Sequence, residues 1–395
     1  MSILHKNSDQ TPVSATGTVF KAVGLRDWYG QVQPMCVARL SDALDAKSHL
    51  FSRQLRDKRW GAVRDTEDLT STAICILSLH RARIDPKEVG MDLQQTLEAM
   101  ADCAQAHQYA GGLGLAIWAN AVVDGFSFRA LLTRCGMSLD DPALVISALT
   151  TMEVAWLISG LVHELKRGED SVAVQALRIA VDELFDRIDV RSGLFTHASQ
   201  HAPFADRIRR NVANFADQIY SVQAMALAHA TGEFIGALMA ANSCAERLVE
   251  LQGDRGQWWW HYNPQKNRVA QAYPVYAVHQ YGMAPMAFDT LARAGGAVYA
   301  EAIEGSHAWL DRNELNAVLH DREAGTLWRD IDAPESGIRN RALQLRSLLG
   351  GGPRRFEIAA KRLHVNYETR PYEWGWCLYA GALARNTSDR GVHIV

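Results

Sequence analysis

Polar and acidic side chains stand at the openings of otherwise apolar segments of this chain: Glu67 and Asp68, Glu153, Asp217 with Gln218, His279 with Gln280, and Glu373. Paired carboxyl groups do acid–base and nucleophilic work at sugar linkages. One protonates the leaving oxygen while the other activates water or attacks. Each acid also has a structural explanation. Thr150-x-x-Glu153 has capping-box form, and Asn214-x-x-Asp217 and Asp65-x-x-Asp68 resemble it, so these acids could serve only to cap helices. The helix dipole favours acids there in any case. Glu373 shows no such partner at the +3 spacing and sits among Tyr372, Trp374 and Trp376, a costly setting for an unpaired charge. It ranks first as a site residue and, in that apolar setting, as the proton donor.

The second cluster lies in residues 252–286, which crowd Trp258, Trp259, Trp260, His261, Tyr262, Tyr273, Tyr276, His279 and Gln280 between two helical segments. A loop with aromatic faces and converging polar groups is a common ligand surface. The alternative is that three tryptophans plug the end of a helical bundle. Tyr276 and His279, at i and i+3, are expected on one helix face, where such a pair can take and return protons. The competing reading of His279 is a hydrogen bond inside the core.

These groups need elements to position them. Apolar segments rich in small residues fall at about 67–80, 112–124, 151–164, 215–230, 274–288 and 372–384. Between them lie amphipathic segments at 91–107, 173–188, 234–252, 295–311 and 339–350. A helix covering Met35–Leu55 is expected after a flexible lead-in of residues 1–30. Residues 127–148 read as two short helices, and Arg355–Ile358 as the sole strand signal. Pro285, with Gly282, should kink or end the 274–288 helix. Gly111-Gly112-x-Gly114 follows no strand and reads as tight packing at a helix start, not as a dinucleotide fingerprint.

Helices apolar all round must be covered on every side, and amphipathic helices can cover them while facing water. Six such pairs can close into one ring with the apolar helices inside, giving a single all-α domain over 31–395. An open α-solenoid is the alternative. In a ring the inner helices run the same way, so their first turns open on one face. The acids, with Trp118, Tyr276, Trp374 and Trp376, would line one funnel there.

Composition narrows the partners. With 41 basic and 44 acidic residues in 395, the formal charge is −3, which gives no basic field for nucleic acid. Cys36, Cys75, Cys103, Cys135, Cys244 and Cys377 are scattered, and neither they nor the 14 histidines show zinc-ligand spacing. No metal or cofactor is expected. The polar start and the lack of eighteen consecutive apolar residues predict no secretory signal and no membrane span, so a cytoplasmic setting is expected.

The inner-helix openings RDTEDLTSTAICILSL, TTMEVAWLISGL, NFADQIYSVQAMAL, YPVYAVHQYGMAPMAF and RPYEWGWCLYAGAL resemble those of the six-hairpin (α/α)6 toroids, over roughly residues 35–385. That superfamily includes glycosidases, polysaccharide lyases, sugar epimerases and terpenoid cyclases. The resemblance implies a carbohydrate-active enzyme, a hydrolase or lyase acting on an oligosaccharide of cell-surface polysaccharide metabolism. Glu373, Glu153 and Asp217 would be its acid–base residues, with Tyr276 and His279 next. Trp258, Trp259, Trp260, His261, Tyr262, Gln280, Gln218, Trp374, Trp118, Glu67 and Asp68 would bind substrate. A terpenoid-cyclase-like enzyme on a prenyl substrate is the second expectation. Gln252, Gly256 and Trp258 fit one copy of the Q-x-x-x-G-x-W brace, and Asp65–Asp68 resembles D-x-D-D with Glu at the third position. The third is a glycan-binding toroid without catalysis.

Overall fold

The computed structural model describes residues 23–53, 55–56, 63–64, 68–333 and 362–386. Its helices follow in outer–inner pairs. α1 (Val23–Ala43) precedes α2 (Leu69–Ala82), and α3 (Leu93–His107) precedes α4 (Leu113–Val122). The short α5 (Phe128–Arg134) and α6 (Pro142–Ala148) lead to α7 (Thr151–Arg167). α8 (Ser171–Arg187) and the single-turn α9 (Phe204–Ile208) lead to α10 (Phe215–His229). α11 (Ala237–Glu250) precedes α12 (Ala284–Arg293), and α13 (Ala300–Arg312) precedes α14 (Pro371–Asn386).

The inner members close a ring: α2 packs on α4, α4 on α7, α7 on α10, α10 on α12, α12 on α14 and α14 back on α2. The chain is an (α/α)6 toroid. Burial follows the sequence pattern. Every residue from Leu113 to Ala121 of α4 is buried, whereas α8 buries Ala173, Ala176, Leu177, Ala180, Val181, Leu184 and Arg187 along one stripe and leaves its other residues partly or fully exposed.

The inner helices approach closely because glycine allows it. A Cβ on Gly114 would collide with the backbone of Trp156 and Leu157, and one on Gly160 with the Gly114 carbonyl, so α4 and α7 cross backbone against backbone. The Gly111–Gly114 stretch is tight packing, as its sequence suggests. A Cβ on Gly111 would occupy the space of the Glu153 carboxylate. The Q-x-x-x-G-x-W segment is also a brace: Gln252 Nε2 donates to the Gly256 carbonyl at 2.7 Å and to the Ala302 carbonyl on α13 at 2.9 Å. Gly256 has φ of +89° and presses on Gly305, which excludes any side chain there.

Three boundaries differ from expectation. α1 begins at Val23, so residues 23–30 belong to a helix, which ends at Ala43, well before Leu55. Short strands of two to four residues join the helices, too short to show a two-residue period. One of them, Val275–Tyr276, opens what was expected to be a helix from 274, and a π turn (His279–Met283) follows before α12. Pro285 then sits in the first turn of α12. Proline lacks the N–H that would bond the carbonyl four residues back. That carbonyl, of Tyr281, accepts instead from Tyr29 Oη of α1 at 2.6 Å. Residues 127–148 form the two expected short helices. The 339–350 helix and the Arg355–Ile358 strand lie outside the described residues.

Candidate functional site

The first turns of α7 and α10 are bonded to one another. Glu153 Oε2 accepts from Thr150 N and Thr150 Oγ1, each at 2.8 Å, and its Oε1 accepts from Tyr109 Oη at 3.3 Å. Asp217 accepts from Asn214 N at 2.9 Å and, through its other oxygen, from Met152 N of α7 at 3.1 Å. His197 Nδ1 lies 2.8 Å from Asp217. Burial pulls the His197 imidazole down, but the Asp217 charge and hydrogen bond outweigh it and the net direction is upward. Buried Arg187 of α8 donates to the Leu149 carbonyl at 2.9 Å and to Thr151 Oγ1 at 3.2 Å, which fixes the turn that presents Glu153.

The first turn of α14 faces an extended segment, 330–332, which pairs with 364–366 on one side and with 275–276 on the other, Tyr276 opposite Asp330. Arg329 joins the two. Its Nη1 donates to Glu373 Oε1 at 3.1 Å and to Tyr372 Oη at 3.3 Å, and its Nε lies 3.3 Å from Asp330. Its guanidinium carbon stands 4.8 Å from the centre of the Tyr276 ring. Arg370 Nε is 2.7 Å from Glu368, whose Oε1 is also 3.5 Å from Arg329. Arg370 N donates to Glu373 Oε2 at 3.2 Å, so Glu373, contrary to expectation, is also held from three residues upstream.

This network sets three carboxyl groups against two guanidinium groups. Burial drives the Glu373 carboxyl up to about 7 against the pull of Arg329 and Arg370. Asp330 is driven up to about 7 by the same cause, with Arg329 opposing. Asp330 Oδ1 has no hydrogen-bond partner. Near neutral pH the network therefore holds a proton.

The aromatic stretch divides into core and rim. Trp258 and Tyr262 are fully buried: Trp258 stacks on Phe215 at 5.8 Å, and Tyr262 Oη accepts from Trp259 N at 3.2 Å. Trp259 is half-buried and packs on Tyr273 at 6.2 Å. Trp260 is partly exposed, with its ring 4.7 Å from His261, 4.8 Å from Tyr276 and 6.1 Å from His279. Burial lowers the imidazoles of His261 and His279 to about 3, so both are neutral at physiological pH. His261 Nδ1 pairs with Gln271 at 3.0 Å, while His279 Nδ1 is buried without a partner. Tyr276 and His279 do not share a helix face, because Tyr276 is in a strand. Their rings nonetheless lie 5.1 Å apart.

Several other predicted binding residues are structural in their contacts. Gln218 is fully buried and clamps both backbone groups of Phe195, each at 2.8 Å. Gln280 accepts from Trp258 N at 3.2 Å and donates to the Tyr276 carbonyl at 3.0 Å. Trp118, Trp374 and Trp376 are buried, with the rings of Trp118 and Trp376 6.2 Å apart. Asp68 caps α2, accepting from Ser71 N at 2.9 Å. Glu67 lies outside the described residues.

Sequence reasoning missed Tyr109, His197, Arg329, Asp330, Glu368 and Arg370. The chain signalled only Arg370, by its place three residues before Glu373. The others come from loops and short strands and meet their partners across distant sequence. Among the described residues no cluster fit to hold a metal ion occurs, and no helix is long and apolar enough to cross a membrane.

No family model and no curated protein matches the chain. Solved structures do. An unsaturated glucuronyl hydrolase from Streptococcus agalactiae matches with a TM-score of 0.60 at 10% identity, covering 93% of each chain. One from Bacillus sp. GL1, responsible for the degradation of glycosaminoglycan, matches at 0.55 and 12% identity, over 91% of this chain and 96% of that one. The cellobiose 2-epimerase of Bacillus thermoamylovorans B4167 matches at 0.60 and 11% identity, over 91% and 99%. At these identities the likeness establishes the fold, the six-hairpin toroid.

Proposed function

We propose that this protein is a carbohydrate-active enzyme, a hydrolase of an oligosaccharide, acting at the rim where the inner helices begin. The observation that carries this reading is the placement of Glu153. Of the three acids Glu153, Asp217 and Glu373, it alone is partly exposed, and it is fixed by Thr150 and Tyr109. The partly exposed Trp260 and Tyr276 lie beyond α10, whose first turn is bonded to that of α7. Aromatic faces there suit the C–H faces of a pyranose.

In this reading Glu153 acts on the substrate as base or nucleophile, and Tyr109 steadies the oxygen that does not cap the helix. Glu373 and Asp330 remain in the wall. They hold Arg329 beneath Tyr276 and Tyr372 and keep a proton in the network near neutral pH. Asp217 is a positioning residue that ties the α7 turn to His197. A lyase or epimerase route would instead draw on Tyr276 and the neutral His279.

The test is turnover of an oligosaccharide panel, beginning with unsaturated glucuronyl disaccharides of the kind bound by a structural neighbour. Glu153→Gln is expected to lower kcat by about 10²–10⁴-fold, the usual worth of a positioned acid–base group. Turnover unaffected by the substitution would remove Glu153 from the chemistry. No turnover of any glycan would overturn the reading as a whole.

A further inference from the structure

On the outside of the ring, α1, the end of α13 and the hairpin that follows it enclose a cleft of about 370 Å³ lined by Trp28, Asp311, Val318, His320, Asp321 and Arg322. None of these residues belongs to the rim. The cleft is a built feature. Trp28 is partly exposed yet held among rings, 4.5 Å from His307, 5.6 Å from His320 and 5.2 Å from Tyr29. The hairpin is fixed through Asp321, which accepts from Glu323 N at 3.0 Å, Ala324 N at 2.8 Å and Trp328 Nε1 at 3.2 Å. Arg322 donates to Gln31 of α1 at 3.1 Å, which closes the cleft from the other side.

The lining is amphipathic. Trp28 and the 60%-exposed Val318 supply apolar surface, while the exposed Asp311 and Arg322 supply an acceptor and a set of donors. Asp311 makes no hydrogen bond or ion pair among the described residues, so its acceptor oxygens remain available to a ligand. Two carboxylates against one guanidinium leave the cleft net negative, which disfavours an anionic ligand. An apolar face beside hydroxyl-binding acceptors and donors matches a sugar ring, and the charge selects a neutral one.

We propose that this cleft is a second glycan-binding site, which holds a neutral sugar residue of a longer chain while the rim acts elsewhere on it. The choice of a sugar rests on the proposed function of the rim; the site itself does not. The test titrates cellotetraose and maltotetraose into full-length protein carrying Glu153→Gln, so that turnover does not consume them, and follows tryptophan fluorescence. Saturable binding weakened at least tenfold by Trp28→Ala supports the proposal. Because Trp28 also packs against α13, Asp311→Ala provides the control that leaves packing intact, and it too should weaken binding several-fold. In otherwise wild-type protein Asp311→Ala should leave kcat/KM on a disaccharide unchanged and lower it on a polymer.

Absence of saturable binding, or binding indifferent to both substitutions, overturns the proposal. The two readings fail separately. Asp311-sensitive binding without turnover of any glycan would keep the cleft and discard the rim, whereas turnover without such binding would do the reverse.

Discussion

Glu153, Asp217 and Glu373 all accept a backbone N–H from three residues upstream, and exposure is what separates them. A carboxylate can cap a helix with one oxygen and still offer the other. Glu153 comes nearest to that, since its second oxygen accepts the 3.3 Å bond from the Tyr109 hydroxyl and the residue is partly exposed; Asp217 and Glu373, with no exposed surface, have their second oxygens engaged by Met152 and Arg329. Asp217→Ala is therefore expected to cost about 3–5 kcal/mol of stability, because it breaks a buried pair with His197 and strands several donors. Glu153→Gln should change stability by less than about 1 kcal/mol while removing activity. Urea unfolding of the two variants checks this, and equal losses would contradict it. The +3 spacings of Glu153 and Asp217 were legible in the sequence because capping is local. The Arg329–Glu373 pair was not, since it spans 44 positions and begins in a loop just before a short strand.

At the scale of elements, the inner helices could be read from the chain because an all-round apolar segment has few alternatives to full burial. The strand at 275–276 and the π turn after it could not. Each is a few residues long, and each depends on partners elsewhere, Asp330 and Tyr29. The α4–α7 crossing makes a sharp prediction. Gly114→Ala places a methyl against the backbone of α7, which cannot move aside cheaply, so a loss of at least about 1–3 kcal/mol is expected. A thermal midpoint unchanged from wild type would mean that the two helices do not cross there.

For the whole molecule, closure of the ring buries imidazoles that ordinary exposure would leave near their usual value. Burial lowers His163 and His307 to about 4, and His261 and His279 to about 3. Unfolded histidines bind protons near 6.5 while these do not, so their contribution is present above pH 6.5 and is lost as pH falls toward 3–4. Asp330 and Glu373, raised to about 7, act oppositely: their contribution is complete below their unfolded values near 4 and fades as pH rises through 7. With His80 and His320 also lowered, six imidazoles stand against four raised carboxyls (Asp330, Glu373, Asp289 and Asp332) and the raised His197, so stability should fall on acidification from pH 6.5 to 4.5. A urea midpoint that rises or stays level over that range would contradict the balance.

Whether the rim processes sugars is tested most directly by mass spectrometry of an oligosaccharide panel incubated with wild-type protein and with Glu153→Gln. The account predicts cleavage products carrying one added water with the wild-type protein and their loss in the variant. Products that persist undiminished with Glu153→Gln, or a panel left intact by the wild-type protein, would contradict it.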